Sequence, residues 1–99
     1  LYEEILLREP EHVPSLHDLG VLLNRRRDFS RAASLLERAV VLRPGDPACH
    51  VELGESYRNL GALRNAIGCC LTGLRLRPGY PEGWNTLGLA YRGAGDLAG

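Results

Sequence analysis

The residues best suited to bond-making chemistry are three histidines, His12, His17 and His50, and three cysteines, Cys49, Cys69 and Cys70. Their spacing withholds that chemistry. Cys49 and His50 are neighbours in sequence, but adjacent residues on a helix do not face one another, so a cysteine–histidine nucleophile is not expected. The histidines show no ligand spacing, and the cysteines form no Cys-x-x-Cys pair that would hold zinc. Cys69 and Cys70 could close only a strained ring if oxidised, so all three thiols read as reduced core filler rather than as a thiol sensor or soft-metal site. A glycine-rich phosphate loop and a Gly-x-Ser-x-Gly elbow are both missing. The expectation is a chain that is not itself an enzyme, with no catalytic, cofactor-binding or metal-binding residues.

Composition narrows the partners. Twelve acidic and twelve basic residues cancel to zero formal charge. Nucleic acid and membrane surfaces both reward an excess of positive charge, so neither is an expected partner. All of the basic residues are arginine, which reads more simply as source-genome bias than as selection for the guanidinium fork. Arg25-Arg26-Arg27 could suggest an anionic partner, yet arginines before a turn more simply complement a helix end. Spanning a bilayer takes roughly 18 apolar residues in a row, and no run approaches that. The amino-terminal stretch is amphipathic and acidic, unlike a signal or transit peptide. The chain lacks an initiator methionine and starts within a pattern, so it is expected to be a piece of something longer. The compartment is not assigned by these residues; the cytoplasm is the default expectation.

The elements that must position any working residue announce themselves by a period. Pro10, Pro44 and Pro78 lie at an unvarying 34-residue interval, and the pairs Leu19-Gly20, Leu53-Gly54 and Leu87-Gly88 repeat on it. A period of this length marks a solenoid built from one supersecondary unit. Arg43-Pro44-Gly45-Asp46-Pro47 and Arg77-Pro78-Gly79-Tyr80-Pro81 are breaks: the first proline ends a helix, and the second suits the first turn of the next. Asp46 is a candidate N-cap. Glu9-Pro10-Glu11-His12-Val13-Pro14 is a weaker copy. After each break come two helical patterns, with turns expected at Arg27-Asp28, Gly61-Ala62 and Gly95-Asp96, where glycine supplies a left-handed helix end.

Residue types along these patterns predict close packing. Leu16, Leu19 and Leu23 recur at helical spacing in the first unit, as do Leu53 and Tyr57 in the second and Trp84, Leu87 and Tyr91 in the third. The second helices carry Phe29, Ala32, Leu36, Ala39 and Val40, then Leu63, Ala66, Cys70, Gly73 and Leu74. Residues 1–9 read as another second helix, burying Tyr2, Ile5 and Leu6. Glycine at 20, 54 and 88 lets a neighbour approach the backbone, and Trp84, Tyr57 and Tyr91 are expected to fill the space between helix pairs. Gly68 and Gly73 each weaken their helix by about 1 kcal/mol relative to alanine, so packing must compensate.

In this register the chain resembles the tetratricopeptide repeat, whose pattern is Trp-x-x-Leu-Gly-x-x-Tyr, then Ala, Phe and Pro over one period. Trp84-Asn85-Thr86-Leu87-Gly88-Leu89-Ala90-Tyr91 matches its first half in full. The middle copy puts His50 in the tryptophan slot, and the first puts Leu16 and Leu23 in the aromatic slots. The resemblance implies an all-α fold, an α-solenoid of antiparallel helix pairs coiled into a right-handed superhelix, with about six helices. Residues 1–99 would form a single array fragment. Within it, 1–12 is the final helix of a preceding repeat, 13–46 and 47–80 are repeats, and 81–99 is the first helix of a following one.

The resemblance also implies a concave groove lined by the first helices. Its candidate peptide-binding residues are His17, Asp18, Val21, Asn24, Glu52, Glu55, Arg58, Asn59, Asn85, Leu89 and Arg92. Family members that clamp a chaperone carboxyl terminus use basic residues and asparagines, but the matching positions hold His17, Val21, Glu52, Glu82 and Thr86. Two glutamates there would repel a carboxylate. The asparagine ladder of O-linked GlcNAc transferases corresponds to Asp18, Glu52 and Thr86, so that mode is not reproduced either. What is left is an acidic stripe, Asp18, Glu52 and Glu55, beside a polar-basic stripe, Asn24, Arg58 and Arg92. These either bind a peptide of mixed charge or pair with one another.

The expected function is a non-enzymatic protein–protein interaction module that takes a protein or peptide in its groove. One alternative is the substrate-recruiting arm of a larger enzyme, such as an O-GlcNAc-transferase-like glycosyltransferase or a sulfotransferase. Another is a self-assembly module, because repeat arrays need neighbours over their terminal faces.

Overall fold

The computed structural model describes the backbone of residues 1–98 and the side chains of residues 1–95. Six helices occupy them: α1 (Tyr2–Arg8), α2 (Val13–Arg25), α3 (Phe29–Leu42), α4 (Pro47–Asn59), α5 (Leu63–Leu76) and α6 (Pro81–Ala98). Among the described residues there is no strand. The array is elongated, 47 × 26 × 18 Å.

Local chemistry sets most of the boundaries. The Asp46 carboxylate accepts from the Ala48 N–H at 3.0 Å, capping α4 as its position before Pro47 predicts. His12 caps α2 through Nδ1, which accepts from the Ser15 N–H at 3.2 Å; histidine is an uncommon cap, and no residue pattern signals it. Gly61 ends α4 with φ of 83°, and Arg27, one period earlier, adopts φ of 64° after α2. The second is a real cost, because a side chain disfavours the left-handed region. The turn expected at Gly95-Asp96 does not form: α6 runs through it to Ala98. No second helix packs back on α6 among the described residues, and without one the local i→i−4 hydrogen bonding continues.

Packing explains two of the three repeated glycines; at Gly88, where close approach was also expected, a Cβ would meet nothing within 4 Å. A Cβ on Gly20 would lie 2.6 Å from Cγ of Leu36, and one on Gly54 would lie 2.9 Å from Sγ of Cys70 and 3.2 Å from the Ala66 carbonyl oxygen. In both units a residue of the second helix therefore packs directly on the bare backbone of the first. A Cβ on Gly73 would be equally confined, 2.7 Å from Val51 and 3.2 Å from the Pro47 carbonyl, so the helix-weakening effect of this glycine is offset by packing. Gly68 meets nothing within 4 Å, and no packing compensates there. The core runs as clusters along the array. Leu19, Leu23, Ala32, Leu36 and Leu53 form one, Val13, Leu16, Ala39 and Cys49 another, and Cys70, Leu74 and Leu87 a third.

Two expected core residues are on the surface. Trp84 is 56 % exposed and Tyr91 51 %, so neither fills a space between helix pairs. Both lie on the side of α6 that, one and two periods earlier, is covered by α5 and α3. Tyr57 does pack, half-buried against the first cluster. The histidine in the tryptophan slot has a clear rationale. His50 Nε2 lies 2.7 Å from the Pro44 carbonyl, and Trp84 Nε1–H donates to the Pro78 carbonyl at the same distance. Both rings tie a first helix to the proline break before it.

Candidate functional site

The first helices of the units are continuous neighbours: α2 touches α4, and α4 touches α6. The backbones of the second helices α3 and α5 do not approach one another in this way. Layers that meet on one side and part on the other bend, so α2, α4 and α6 line the inner face. It is here that the candidate groove residues fall, and the structure sorts them into two groups.

The first group is spent on the seams between helices. Asn24 is buried; its amide donates to the Glu52 backbone carbonyl and to the Glu52 carboxylate, each at 3.1 Å, and its oxygen accepts from the Ser56 hydroxyl at 2.7 Å. Glu55 accepts from Arg58 at 2.6 Å, from Asn59 at 2.9 Å and from the Thr86 hydroxyl at 3.2 Å. Burial acts to raise the Glu55 pKa. The hydrogen bonds from Arg58 and Asn59, the Arg58 charge and the Thr86 hydroxyl together outweigh it and hold the carboxyl below its usual value. Asn24, Glu52, Glu55, Arg58 and Asn59 are thus mutually satisfied, which is the pairing alternative to direct peptide contact.

The second group makes no bond across a seam; Asp18 and Arg25 are exposed, and His17 and Val21 half-buried. His17, Asp18, Val21 and Arg25, together with Tyr2 and Leu22, line an open cavity of about 330 Å³. His17 Nδ1 lies 3.1 Å from the Asp18 carboxylate. At the other end of the inner face, Asn85, Leu89 and Arg92 are exposed on α6. The structure does not bring the two ends together; the spent α4 residues lie between them.

The thiols are not placed for chemistry. Burial, and then the Asp46 carboxylate, push Cys49 up to about 12. Burial likewise raises Cys70 to about 12 and Cys69 to about 11. A thiolate is the reactive form, so these sulfurs behave as packing atoms at neutral pH. Among the described residues no three metal-ligating side chains cluster, and no helix is long and apolar enough to cross a membrane.

A buried position at residue 83 was missed. A Cβ on Gly83 would lie 2.9 Å from Leu74, and its period-mates Ser15 and Cys49 are both buried. The recurrence of three small residues in one register was the signal that would have found it.

Known proteins share this arrangement. An inactive TPR repeat-containing thioredoxin of Arabidopsis thaliana is 30 % identical over 86 residues, covering 87 % of this chain and 12 % of that protein. Among solved structures, an O-GlcNAc transferase of Thermobaculum terrenum superposes with a TM-score of 0.85 at 32 % identity, over 90 % of this chain and 17 % of that one. The first TPR of Spaghetti (RPAP3), bound to an HSP90 peptide, gives 0.87 at 21 % identity, over 99 % of this chain and 75 % of that one, and shows the fold alone. The chain therefore spans about an eighth of the thioredoxin relative's length and a sixth of the transferase's. The tetratricopeptide repeat model matches residues 1–47 and again 17–81. With the 34-residue register, the glycine-mediated helix pairs and these matches in agreement, the chain belongs to the tetratricopeptide repeat family.

Proposed function

We propose that the inner face of α2, α4 and α6 holds a protein segment, as a non-catalytic interaction module. Recognition falls to the residues that make no bond across a seam: His17, Asp18, Val21 and Arg25 at one end, and Asn85, Leu89 and Arg92 at the other. The observation that carries this reading is the division of labour on α4. Its Glu55, Arg58 and Asn59 saturate one another, leaving a stiff polar floor between two exposed ends of mixed charge. A segment lying along that floor meets Asp18 and Arg25 on α2 and Arg92 on α6, so it carries both signs of charge, with an apolar side chain for Val21 or Leu89.

The test is selection of peptides from a displayed random library on the immobilised chain, followed by fluorescence anisotropy of the winners. Val21→Glu and Leu89→Glu change side chains on the inner face without touching the core, so each should weaken binding while leaving the helical circular dichroism unchanged. Peptides that bind both variants as tightly as the parent would overturn the reading.

A second reading is favoured by the 32 % identity to the transferase's repeats. It places the same groove in the recruiting arm of a larger enzyme. The groove chemistry is then identical, and the selected peptides would resemble that enzyme's substrates.

A further inference from the structure

On the side opposite the inner face, the backbones of α1 and α3 stand apart, as do those of α3 and α5. Tyr57 of α4 reaches into the later gap beside Cys69, and its hydroxyl donates to the Glu37 carboxylate. One period earlier Glu3 holds the Glu37 position, Leu23 the Tyr57 position and Leu35 the Cys69 position. Leucine has no hydroxyl, and Leu23 is only 5 % exposed, so it stops short of the surface. Glu3 is left exposed, with Arg31 at 3.7 Å. An open cavity of about 390 Å³ lies here, with Leu6, Leu19 and Leu35 in its floor and Glu3, Arg31 and Arg38 at its rim. All of its lining comes from α1, α2 and α3, as Glu37, Tyr57 and Cys69 come from α3, α4 and α5. The site is thus bounded by consecutive helices of the array and not by an end of it.

We propose that the α1–α3 gap binds a protein segment through a tyrosine side chain, supplied by the partner where the next gap supplies its own. The ring lies over Leu6, Leu19 and Leu35, and its hydroxyl donates to the Glu3 carboxylate. That bond repeats the one Tyr57 makes to Glu37, and a charged acceptor makes it a strong one. Ligand pockets run from about 300 to 1,000 Å³, so a cavity at the small end of that range suits one large side chain.

The chemistry of the rim selects this side chain over others. Phenylalanine would cover the same floor but offers Glu3 no donor. Lysine or arginine would donate, yet each adds a further cation beside Arg31 and Arg38. An aspartate or glutamate is acceptor-only when ionised and has no proton to give Glu3. Arg31 yields its place readily, because it keeps Asp28 at 3.3 Å and its pair with Glu3 is long and exposed. None of these residues belongs to the inner face, so the gap is a second surface, separate from the groove of α2, α4 and α6.

N-acetyl-tyrosinamide and N-acetyl-phenylalaninamide differ only in the hydroxyl and test the proposal directly. Each is titrated at millimolar concentration into the isotopically labelled chain, and the amide NMR shifts are followed. The tyrosine probe should give saturable shifts at Leu6, Leu7, Ser34 and Leu35, and the phenylalanine probe should bind about tenfold more weakly. Glu3→Ala removes an exposed acceptor without touching the core, and should bring the tyrosine probe down to the phenylalanine level. Leu23→Tyr combined with Leu35→Cys gives the first gap the pair that the second already holds. It should fill the gap from within, so that both probes lose the site; if that double variant does not fold, Glu3→Ala alone decides. The absence of saturable shifts at this gap, equal affinity of the two probes, or a tyrosine preference that survives Glu3→Ala would each overturn the proposal. So would probe binding that persists in the folded double variant. Shifts at the same residues on raising the protein concentration alone would assign the gap to a second copy of the chain and overturn it as well.

Discussion

The Asn24 side chain bridges α2 and α4 by donating to both the backbone carbonyl and the carboxylate of Glu52, at 3.1 Å each. One period later the seam between α4 and α6 is closed differently. Arg58 takes the Asn24 position and bonds back to Glu55, and it is Glu55 that reaches Thr86 across the seam. Two successive joints of one array thus have the same geometry and unlike chemistry.

Asn24→Ala removes every bond in the first joint while Ser56 keeps only a 3.3 Å contact to the Glu52 carbonyl. Losing a buried hydrogen-bonding partner costs about 1–3 kcal/mol, and urea unfolding followed by circular dichroism should show a loss of that size. Asn24→Asp should cost more at neutral pH, because it sets a second carboxylate against Glu52. Part of that excess should return on mild acidification. Equal stability of the two variants at all pH values would contradict the bond to the Glu52 carboxylate.

The second joint predicts acid sensitivity. The folded-state pKa of Glu55 is depressed, so its stabilising contribution is fully present above the ordinary carboxylate range. It is lost as pH falls below that range and through the folded value. Glu55→Gln should therefore lower stability at pH 7 and flatten the decline in stability below about pH 4.5. The comparison requires only melting temperatures of parent and variant across that window. A variant whose acid decline is as steep as the parent's would remove Glu55 from the explanation.

Two glycines of one repeat should respond in opposite senses. Gly54→Ala pushes a methyl group against the Ala66 carbonyl, which is backbone and cannot swing aside, so it should destabilise the chain. Gly68→Ala meets open space in the middle of α5 and should stabilise by about 0.5–1 kcal/mol through helix propensity alone. Chemical denaturation of both variants reads the sign directly.

The same contrast shows how far the sequence carried. A strict 34-residue period of Leu-Gly pairs and prolines was enough to give the helix pairs, the backbone approach at Gly20 and Gly54, and the Asp46 cap, because each is decided within one unit. Burial of Trp84 and Tyr91 and the turn at Gly95 were not legible, because each depends on a covering helix that the pattern implies and the described residues do not supply. Among the groove candidates the helix face was legible, but the side-chain partners were not. Which of Asn24, Arg58 and Arg92 turns inward is set by what the next helix offers at the opposing position: a carboxylate and a serine for Asn24, a threonine for Arg58. That information lies about one period away from the residue it decides.

His50 offers the last test of the register. Its Nε2 sits 2.7 Å from the Pro44 carbonyl, as Trp84 Nε1 does from Pro78. In these two units the slot therefore holds a ring N–H donor at a fixed reach, whereas Leu16 fills it by burial in the first unit. His50→Phe keeps a ring of similar reach and loses the donor, leaving the Pro44 carbonyl to solvent; because His50 is only half-buried, the cost should be about 0.5–1.5 kcal/mol. His50→Trp keeps the donor and should be tolerated better than His50→Phe, even though it is the larger change. If phenylalanine proves as stable as tryptophan at this position, bulk rather than the proline-carbonyl bond sets the choice of residue.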